Sequence, residues 1–149
     1  MTGLTPAERP AVVSGASSGI GEATARLLAT AGHPVVLGAR RLETCERIAT
    51  EIGDAGGVAH AVVLDLADEE SITSFAKRAE ELVGPIEVLV SNASHIDPGD
   101  TLSTDRDAFQ RHLDVNVSGT RALTQLIGVG MVERHRGDLV FVTSQMTYE

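Results

Sequence analysis

The sequence of 149 residues predicts an α/β domain built on a doubly wound parallel sheet. Short apolar runs alternate with longer segments of helical periodicity, which is typical of parallel α/β sheets. Most runs are continuously apolar, as expected when helices cover both faces of a sheet. Hydrophobic residues make up 42% of the chain and charged residues 22%, values typical of one folded globular domain.

Five apolar runs are predicted to be strands, because each has strand length and is followed by polar or turn-forming residues. The runs are Ala11 to Ser14, Pro34 to Gly38, Val58 to Leu64, Ile86 to Ser91 and Asp138 to Thr143.

Three intervening segments carry apolar residues three and four positions apart, which predicts helices with one buried stripe each. The first stripe is Ile20, Ala23, Leu27 and Ala31, the second is Leu42, Cys45, Ile48 and Ile52, and the third is Ile72, Phe75, Ala79 and Leu82. Because Cys45 lies on the second stripe, we interpret it as a core residue and not as a reactive thiol.

A fourth helix, the longest, is predicted from about Asp105 to about Glu133. Its apolar side consists of Phe109, Leu113, Val117, Leu123, Ile127 and Met131. The segment Ser94 to Asp100 before it contains Pro98 and Gly99 and is predicted to be a turn-rich loop.

Charge and cysteine content narrow the classes of partner and location. The formal net charge of −9 opposes general affinity for nucleic acid or anionic membranes, so a small-molecule partner is expected. Cys45 is the single cysteine, which excludes a disulfide framework or a cysteine zinc site within one chain. No run has the length of a membrane span, and the polar start lacks the apolar core of a secretory signal. We therefore expect a cytoplasmic protein.

Three glycines, Gly15, Gly19 and Gly21, lie in the stretch SGASSGIGEA directly after the first predicted strand. A strand that turns sharply into a helix gathers free N–H groups at the positive end of the helix dipole, where a phosphate can bind. Gly15 would allow the turn, Gly19 the approach of a pyrophosphate, and Gly21 close packing of the helix on the strand. The alternative is a flexible loop with a glycine at a helix cap.

The spacing Gly-x-x-x-Gly-x-Gly resembles the motif of the short-chain dehydrogenase/reductase family. The resemblance continues through LDL, SNAS, DVNVSGT and GDLVFVTS, in that order along the chain. It implies a Rossmann-like fold with strand order 3-2-1-4-5, truncated after the fifth strand, so that residues 1–149 form an incomplete dinucleotide-binding domain. The chain departs from the family pattern at Ser14, where Thr is usual, and at Ser91 and Ser94 in place of Asn and Gly.

The resemblance also implies which residues bind the cofactor. Ala39 is neutral where an acidic residue would select NAD, and the planar guanidinium groups of Arg40 and Arg41 suit a 2′-phosphate. NADP(H) is therefore expected in preference to NAD(H), although two arginines could also simply open a surface helix. The implied cofactor-binding residues are Gly15, Ser17, Ser18, Gly19, Ile20, Gly21, Arg40, Arg41, Asp65, Leu66, Asn92 and Ala93.

Within that set, Asp65 and Leu66 resemble the pair that contacts the adenine, and Asn92 and Ala93 resemble residues near the nicotinamide ribose. An Asp before a helix can equally be a plain N-cap, so that alternative for Asp65 stays open.

Members of the family transfer a hydride between the nicotinamide and a carbonyl or alcohol. Their catalytic groups are a Tyr acid/base, a Lys that lowers its pKa, a Ser that holds the oxygen, and an Asn in the long helix. By resemblance, Asn116 and Ser144 match the Asn and the Ser. Asn116 could instead mark a structural kink with a bound water, and Ser144 could cap the strand, with Thr143 leaving the register open by one residue.

A Tyr-x-x-x-Lys pair is absent from the sequence, since Tyr148 is the only tyrosine and Lys77 the only lysine. The resemblance therefore implies the N-terminal portion of such an enzyme. We expect the isolated chain to be close to inert, because loss of the acid/base costs roughly two to four orders of magnitude in rate. With the fifth strand unpaired on one side, we also expect poor solubility or weak cofactor binding.

The sequence allows two other interpretations of its function. One is a non-catalytic nucleotide-binding module, and the other is a flavodoxin-like or receiver-type domain, which leaves the ARR, SNAS and DVNV motifs unexplained. We interpret neither His95 nor His112 as a metal ligand, because neither has ligand-like neighbours in the sequence. The family resemblance implies a homo-oligomer for the intact protein, while the substrate stays unassigned.

Overall fold

The computed structural model describes residues 5–97 and 102–144. These residues form a five-stranded parallel sheet with the strand order β3-β2-β1-β4-β5, which confirms the predicted fold class and order. The strands are β1 (Ala11–Ser14), β2 (Val35–Ala39), β3 (Ala59–Val63), β4 (Val88–Ser91) and β5 (Asp138–Phe141).

Helices connect the strands, after a short 3₁₀ turn at Pro6–Glu8. They are α1 (Gly19–Thr30), α2 (Leu42–Asp54), α3 (Glu69–Val83), α4 (Arg106–Leu113), a π-helical segment (Asp114–Gly119) and α5 (Thr120–Glu133). Among the described residues, no helix combines the length and the apolar character that a bilayer span requires.

The centre of the sheet is β1, which pairs with β2 on one side and β4 on the other. Ala11 lies opposite Val35 in β2 and opposite Val88 in β4. The chain builds outward through β2 and β3, then crosses back over the sheet to β4. The strand order therefore reverses between β1 and β4, and ligands of open α/β sheets bind beside such a switch point.

Two hydrophobic layers enclose the sheet, because neighbouring residues of a strand point to opposite faces. Val13 belongs to the layer formed with α1 and α2, and Val12 belongs to the layer formed with α3 and α5. Both valines are fully buried. Continuous apolar sequence in the central strands thus reflects helices on both faces, as predicted.

The predicted stripes of α2 and α3 are confirmed at three positions each. Cys45, Ile48 and Ile52 are buried on α2, and Ile72, Phe75 and Ala79 are buried on α3. The remaining predicted members, Leu42 and Leu82, are half-buried. The burial of Cys45 also confirms its assignment to the core, and this burial raises the pKa of the thiol.

The predicted stripe of α1 is wrong. Ile20 and Leu27 are 64% and 71% exposed, whereas the buried residues are Gly21, Ala25 and Ala29. Gly21 lies very close to the turn after β1, so α1 packs on the sheet through its small residues. The apolar periodicity of this helix indicated a helix correctly but selected the wrong face.

The predicted long helix is interrupted at its centre by the π-helical segment. Leu123, Ile127 and Met131 are buried as predicted, but Phe109 and Val117 are each 57% exposed. A π turn inserts extra backbone into the helix, which breaks the 3.6-residue repeat. One continuous stripe from Phe109 to Met131 was therefore a wrong expectation.

The strand at the β4 side of the sheet, β5, ends at Phe141 and not at Thr143 as predicted. Its apolar side chains are between 44% and 49% exposed at Leu139, Val140 and Phe141. Among the described residues β5 pairs only with β4. The expected covering of both faces therefore fails at this edge.

A buried carboxylate fastens the end of α5 to the beginning of β4. Glu87 is 1% exposed, and its two oxygens accept hydrogen bonds from Arg134 Nε at 3.2 Å and Arg136 Nε at 2.8 Å. Arg134 also donates to the carbonyl of Ile86 at 2.8 Å. These contacts fix where the chain leaves α5 and enters β5.

Candidate functional site

A crevice of about 550 Å³ opens at the carboxyl ends of the strands, beside the switch point between β1 and β4. It brings together loops that follow four different strands. Its lining consists of Gly15, Ser17, Ser18, Ala39, Arg40, Arg41, Leu64, Asp65, Leu66, Asn92, Ala93, Ser94, His95 and Val115. Most of the residues that the sequence assigned to cofactor binding therefore lie around one cavity.

The glycine loop forms a tight strand-to-helix turn. Gly15 has a φ of +68°, a conformation that favours glycine. A Cβ on Gly21 would overlap the carbonyl oxygen of Gly15 and lie 2.6 Å from Asn92 Nδ2. The space around Gly19 is open. The predicted turn and close packing are therefore present in the structure.

The first turn of α1 begins directly beyond the crevice-lining residues. Ser18 is its N-cap residue and makes no side-chain cap hydrogen bond. Gly19, Ile20 and Gly21 form this turn and are not among the residues that line the crevice. Backbone N–H groups at a helix start without a side-chain cap suit an anionic ligand.

Ser14 organises the junction between β1 and β4, a role that sequence reasoning missed. Its hydroxyl accepts hydrogen bonds from the backbone N–H groups of Asn92 at 3.0 Å and Ala93 at 3.1 Å. Asn92 Nδ2 donates in return to the carbonyls of Ser14 at 3.1 Å and Gly15 at 3.3 Å. The substitution of Ser for the usual Thr keeps the hydroxyl that these contacts need.

The loop after β4 accommodates Ser94 without strain. Within the described residues, the one non-glycine residue with a positive φ is His135, so Ser94 has an ordinary backbone conformation. Its replacement of the family's glycine is therefore compatible with this loop.

The two arginines after β2 have different surroundings. Arg41 donates hydrogen bonds to Ser17 Oγ at 3.0 Å and to Ser18 Oγ at 2.9 Å, so it crosses from α2 to the glycine loop. Arg40 is exposed at the crevice, and its side chain makes no hydrogen bond or ion pair to any other described residue. One guanidinium thus braces the loop while the other stays available to a ligand.

Asp65 is not the N-cap of α3, so that alternative for this residue is wrong. The cap is Asp68, whose carboxylate accepts from the backbone N–H of Glu70 at 2.9 Å. Asp65 Oδ1 instead accepts from the N–H of Ala67 at 3.0 Å, which closes a local turn at the crevice. Leu66 is buried within this turn.

Asn116 lies in the π-helical segment and binds the loop after β4 through both ends of its amide. His95 N–H donates to Asn116 Oδ1 at 2.7 Å, and Asn116 Nδ2 donates to the His95 carbonyl at 2.8 Å. The helix is therefore irregular at Asn116, as the structural-kink alternative expects of the backbone. Asn116 lines a neighbouring groove that also includes Phe141 and Thr120.

Ser144 follows β5 and is exposed. It does not line the crevice, so the structure does not bring the two predicted catalytic residues into the cavity of the predicted cofactor-binding residues. Tyr148, Pro98 and Gly99 lie outside the described residues.

A group of ionisable side chains lies beside Asn116, where the sequence suggested no ligand-like neighbours. Ligand atoms of His95, Asp97 and His112 all lie within 4.8 Å of one another. The hydrogen bond from His95 to Asp97 lowers the pKa of that carboxyl, with a further contribution from the charge of Arg111. The expectation that these histidines have no such neighbours is corrected by the fold, which brings the loop onto α4.

The chain matches the family model described as short chain dehydrogenase over residues 9–149. Among curated proteins, it is 35% identical over 134 residues to a glycine betaine reductase of Emericella nidulans, covering 90% of this chain and 11% of that protein. It is 38% identical over 138 residues to an uncharacterised oxidoreductase of Mycobacterium bovis, covering 89% of this chain and 40% of the relative.

Solved structures of similar fold include two nucleotide complexes. A metagenomic short-chain oxidoreductase in complex with NADP superposes with a TM-score of 0.89 and 31% identity, covering 96% of this chain and 65% of that one. An alcohol dehydrogenase of Thermococcus sibiricus complexed with 5-hydroxy-NADP gives a TM-score of 0.84 and 30% identity, with coverages of 89% and 57%.

The chain spans 11% of the length of the glycine betaine reductase and 40% of the length of the mycobacterial oxidoreductase. It spans 53% of a third relative, described as a monensin polyketide synthase putative ketoacyl reductase of Streptomyces virginiae.

Proposed function

Because the chain belongs to the short-chain dehydrogenase family, we propose that it is the cofactor-binding part of an NADP(H)-dependent oxidoreductase. The reaction is hydride transfer between the nicotinamide and a carbonyl or alcohol substrate. The observation that carries this proposal is the strand-end crevice, in which a glycine turn, an uncapped helix start and a free arginine converge. Residues 1–149 are then the dinucleotide-binding domain of a longer enzyme.

The residues present fit a dinucleotide by their chemistry. In this proposal the N–H groups at the start of α1 bind the pyrophosphate, which the tight turn at Gly15 and Gly21 makes possible. Asp65 and Leu66 border the adenine, and Asn92 and Ala93 border the nicotinamide ribose. Contacts from Ser14 would hold Asn92 and Ala93 in place, since Ser14 bonds both of their backbone N–H groups.

Selection of NADP(H) is assigned to Arg40. Its side chain is exposed at the crevice, and a guanidinium can bind a 2′-phosphate through two hydrogen bonds. Arg41 has the different role of bracing Ser17 and Ser18. The NADP complexes of two similar structures support this choice of nucleotide.

The nicotinamide supplies the hydride chemistry when bound, and the protein supplies binding and proton handling. Asn116 is proposed to hold the loop after β4 against the long helix, through both of its hydrogen bonds to His95. Ser144 is proposed to bind the substrate oxygen. The 149 residues contain no Tyr-x-x-x-Lys pair, so we expect them to be nearly inactive on their own.

The test compares NADPH and NADH binding in Arg40→Asp and in Arg121→Asp, which makes the same charge change on α5 beside Gln125. A charged hydrogen bond contributes about 1.5–3 kcal/mol, so Arg40→Asp should weaken NADPH binding by roughly tenfold to a hundredfold. NADH binding should change much less, and Arg121→Asp should leave the binding of both nucleotides unchanged. Equal losses for the two nucleotides in Arg40→Asp would refute the assignment.

The second candidate is a non-catalytic nucleotide-binding module, which the exposed position of Ser144 outside the crevice favours. NADPH oxidation with carbonyl substrates, measured on the intact protein, separates the two candidates, because a binding module shows affinity without turnover. For the intact enzyme we also propose a homo-oligomer acting on a small molecule, with no nucleic-acid or membrane partner. We also propose a cytoplasmic location, which the single cysteine supports.

A further inference from the structure

We propose that His95, Asp97 and His112 bind one divalent transition-metal ion of the zinc type. Nothing in the proposed redox function uses these three side chains together. His95 and Asp97 lie in the loop after β4, and His112 lies in the last turn of α4. Each contributes one ligand atom, and all three atoms lie within 4.8 Å of one another.

The distances match a metal site that has to close by a small movement. His95 Nε2 and Asp97 Oδ2 are 3.0 Å apart. Neighbouring ligands of a tetrahedral zinc ion lie about 3.3 Å apart, because Zn–N and Zn–O distances are about 2.0–2.2 Å. One pair is therefore already at ligand spacing, and the third atom must approach by an ångström or so.

His112 Nε2 accepts a hydrogen bond from the backbone N–H of Asp97 at 3.2 Å, so this nitrogen carries a lone pair. A metal ion bound at Nε2 would replace that hydrogen bond. The rings of His95 and His112 are tilted by 58° with centroids 5.1 Å apart. Tilted rings can direct their nitrogens to one point between them, which stacked rings cannot.

The backbone of one ligand is held in place. Asn116 bonds the backbone N–H and C=O of His95, at 2.7 and 2.8 Å, and so fixes this residue relative to the long helix. A fixed backbone limits the positions that the His95 imidazole can take. The bound ion would fasten the loop after β4 to α4, next to the crevice that His95 lines.

The donor set selects the class of ion. Two imidazoles and one carboxylate suit zinc and neighbouring transition metals, whereas calcium and magnesium require mostly oxygen ligands. Three protein ligands leave one coordination position for water or another small ligand. Arg111 is a competing cation, since its guanidinium lies 3.5 Å from Asp97 Oδ2, and its side chain is 56% exposed. Such an exposed side chain can turn to solvent when a metal binds.

Cobalt(II) titration of the purified protein, without added nucleotide, tests the site by absorption and calorimetry. We expect one ion per chain, displaced by Zn²⁺, with affinity lowered at least tenfold in His95→Gln and in His112→Gln. His60→Gln is the control, since His60 lies on β3 and outside the cluster. Arg111→Gln should tighten binding several-fold, because it removes the competing cation.

Circular dichroism establishes that each variant is folded, and Asp97→Asn provides a third test at a partly exposed position. Cobalt affinity that is unchanged in these variants, or lost equally in His60→Gln, would overturn the proposal, as would the absence of stoichiometric binding. If the three side chains form only a structural cluster of hydrogen bonds, no stoichiometric cobalt binding will be seen. Because nucleotide is absent from the assay, its outcome does not depend on the proposed redox function.

Discussion

Replacement of Gly21 by Ala tests the close packing of α1 on the strand turn. The added Cβ would overlap the carbonyl oxygen of Gly15 and lie 2.6 Å from Asn92 Nδ2. The first neighbour is backbone, and the second is held by hydrogen bonds to the carbonyls of Ser14 and Gly15. No flexible side-chain end can move aside, so α1 must shift away from the sheet.

Overpacking of this kind costs about 1–3 kcal/mol, and we take the upper value because the neighbours are rigid. The better helix propensity of Ala offsets about 1 kcal/mol, so Gly21→Ala should lower the free energy of unfolding by about 2 kcal/mol. The matched control is Gly128→Ala in α5, where no heavy atom lies within 4 Å of the new Cβ. This control should gain up to about 1 kcal/mol from helix propensity alone.

Urea denaturation followed by circular dichroism measures both changes, and an unchanged m-value would show that the unfolding reaction is the same. The two alanine variants should therefore differ in opposite directions from the parent protein. If Gly21→Ala is as stable as Gly128→Ala, the helix does not press on the Gly15 turn and this reasoning fails.

Three further predictions concern the core and the helix ends. Cys45 should react slowly with a thiol reagent in the native protein and rapidly in denaturant, and fast labelling of the native protein would contradict its burial. Because burial raises the pKa of this thiol, the free energy of unfolding should fall as pH rises above the ordinary thiol pKa. Glu87→Gln should cost about 1–3 kcal/mol in denaturation, because its charge-assisted bonds to Arg134 and Arg136 are weakened, and unchanged stability would oppose that. Asp68→Ala should cost about 1 kcal/mol through loss of the α3 cap, whereas a change within a few tenths would show that the cap is unimportant.

The sequence predicted the sheet because its signals are local and strong. Each central strand is a short run of apolar residues, and β1, β2 and β4 are buried by helices on both faces. The stripes of α2 and α3 were correct because large apolar residues mark one face of each. Phe75 and Ile48, for example, are fully buried at the predicted positions.

The face of α1 could not be read from hydrophobicity. Its buried residues are Gly21, Ala25 and Ala29, which are small because the helix lies close to the sheet, while Leu27 is exposed. A hydrophobic pattern rewards large residues and so selects the opposite face. Close packing is a property of the whole fold and leaves only a pattern of small residues in the sequence.

Long-range contacts explain the other missed features. The π-helical segment contains Asn116, whose amide forms hydrogen bonds with the loop at His95, 21 residues earlier. The cluster of His95 with His112 likewise depends on that loop folding onto α4. Sequence spacing alone carries no sign of either contact.

Direct calorimetric titration of the intact protein with NADPH and NADH tests the central claim, which is that the strand-end crevice binds a pyridine dinucleotide. We predict saturable binding at one site per chain, with NADPH bound more tightly than NADH, and weaker binding of both in Gly21→Ala. The absence of a saturable signal with both nucleotides would contradict the assignment of this crevice.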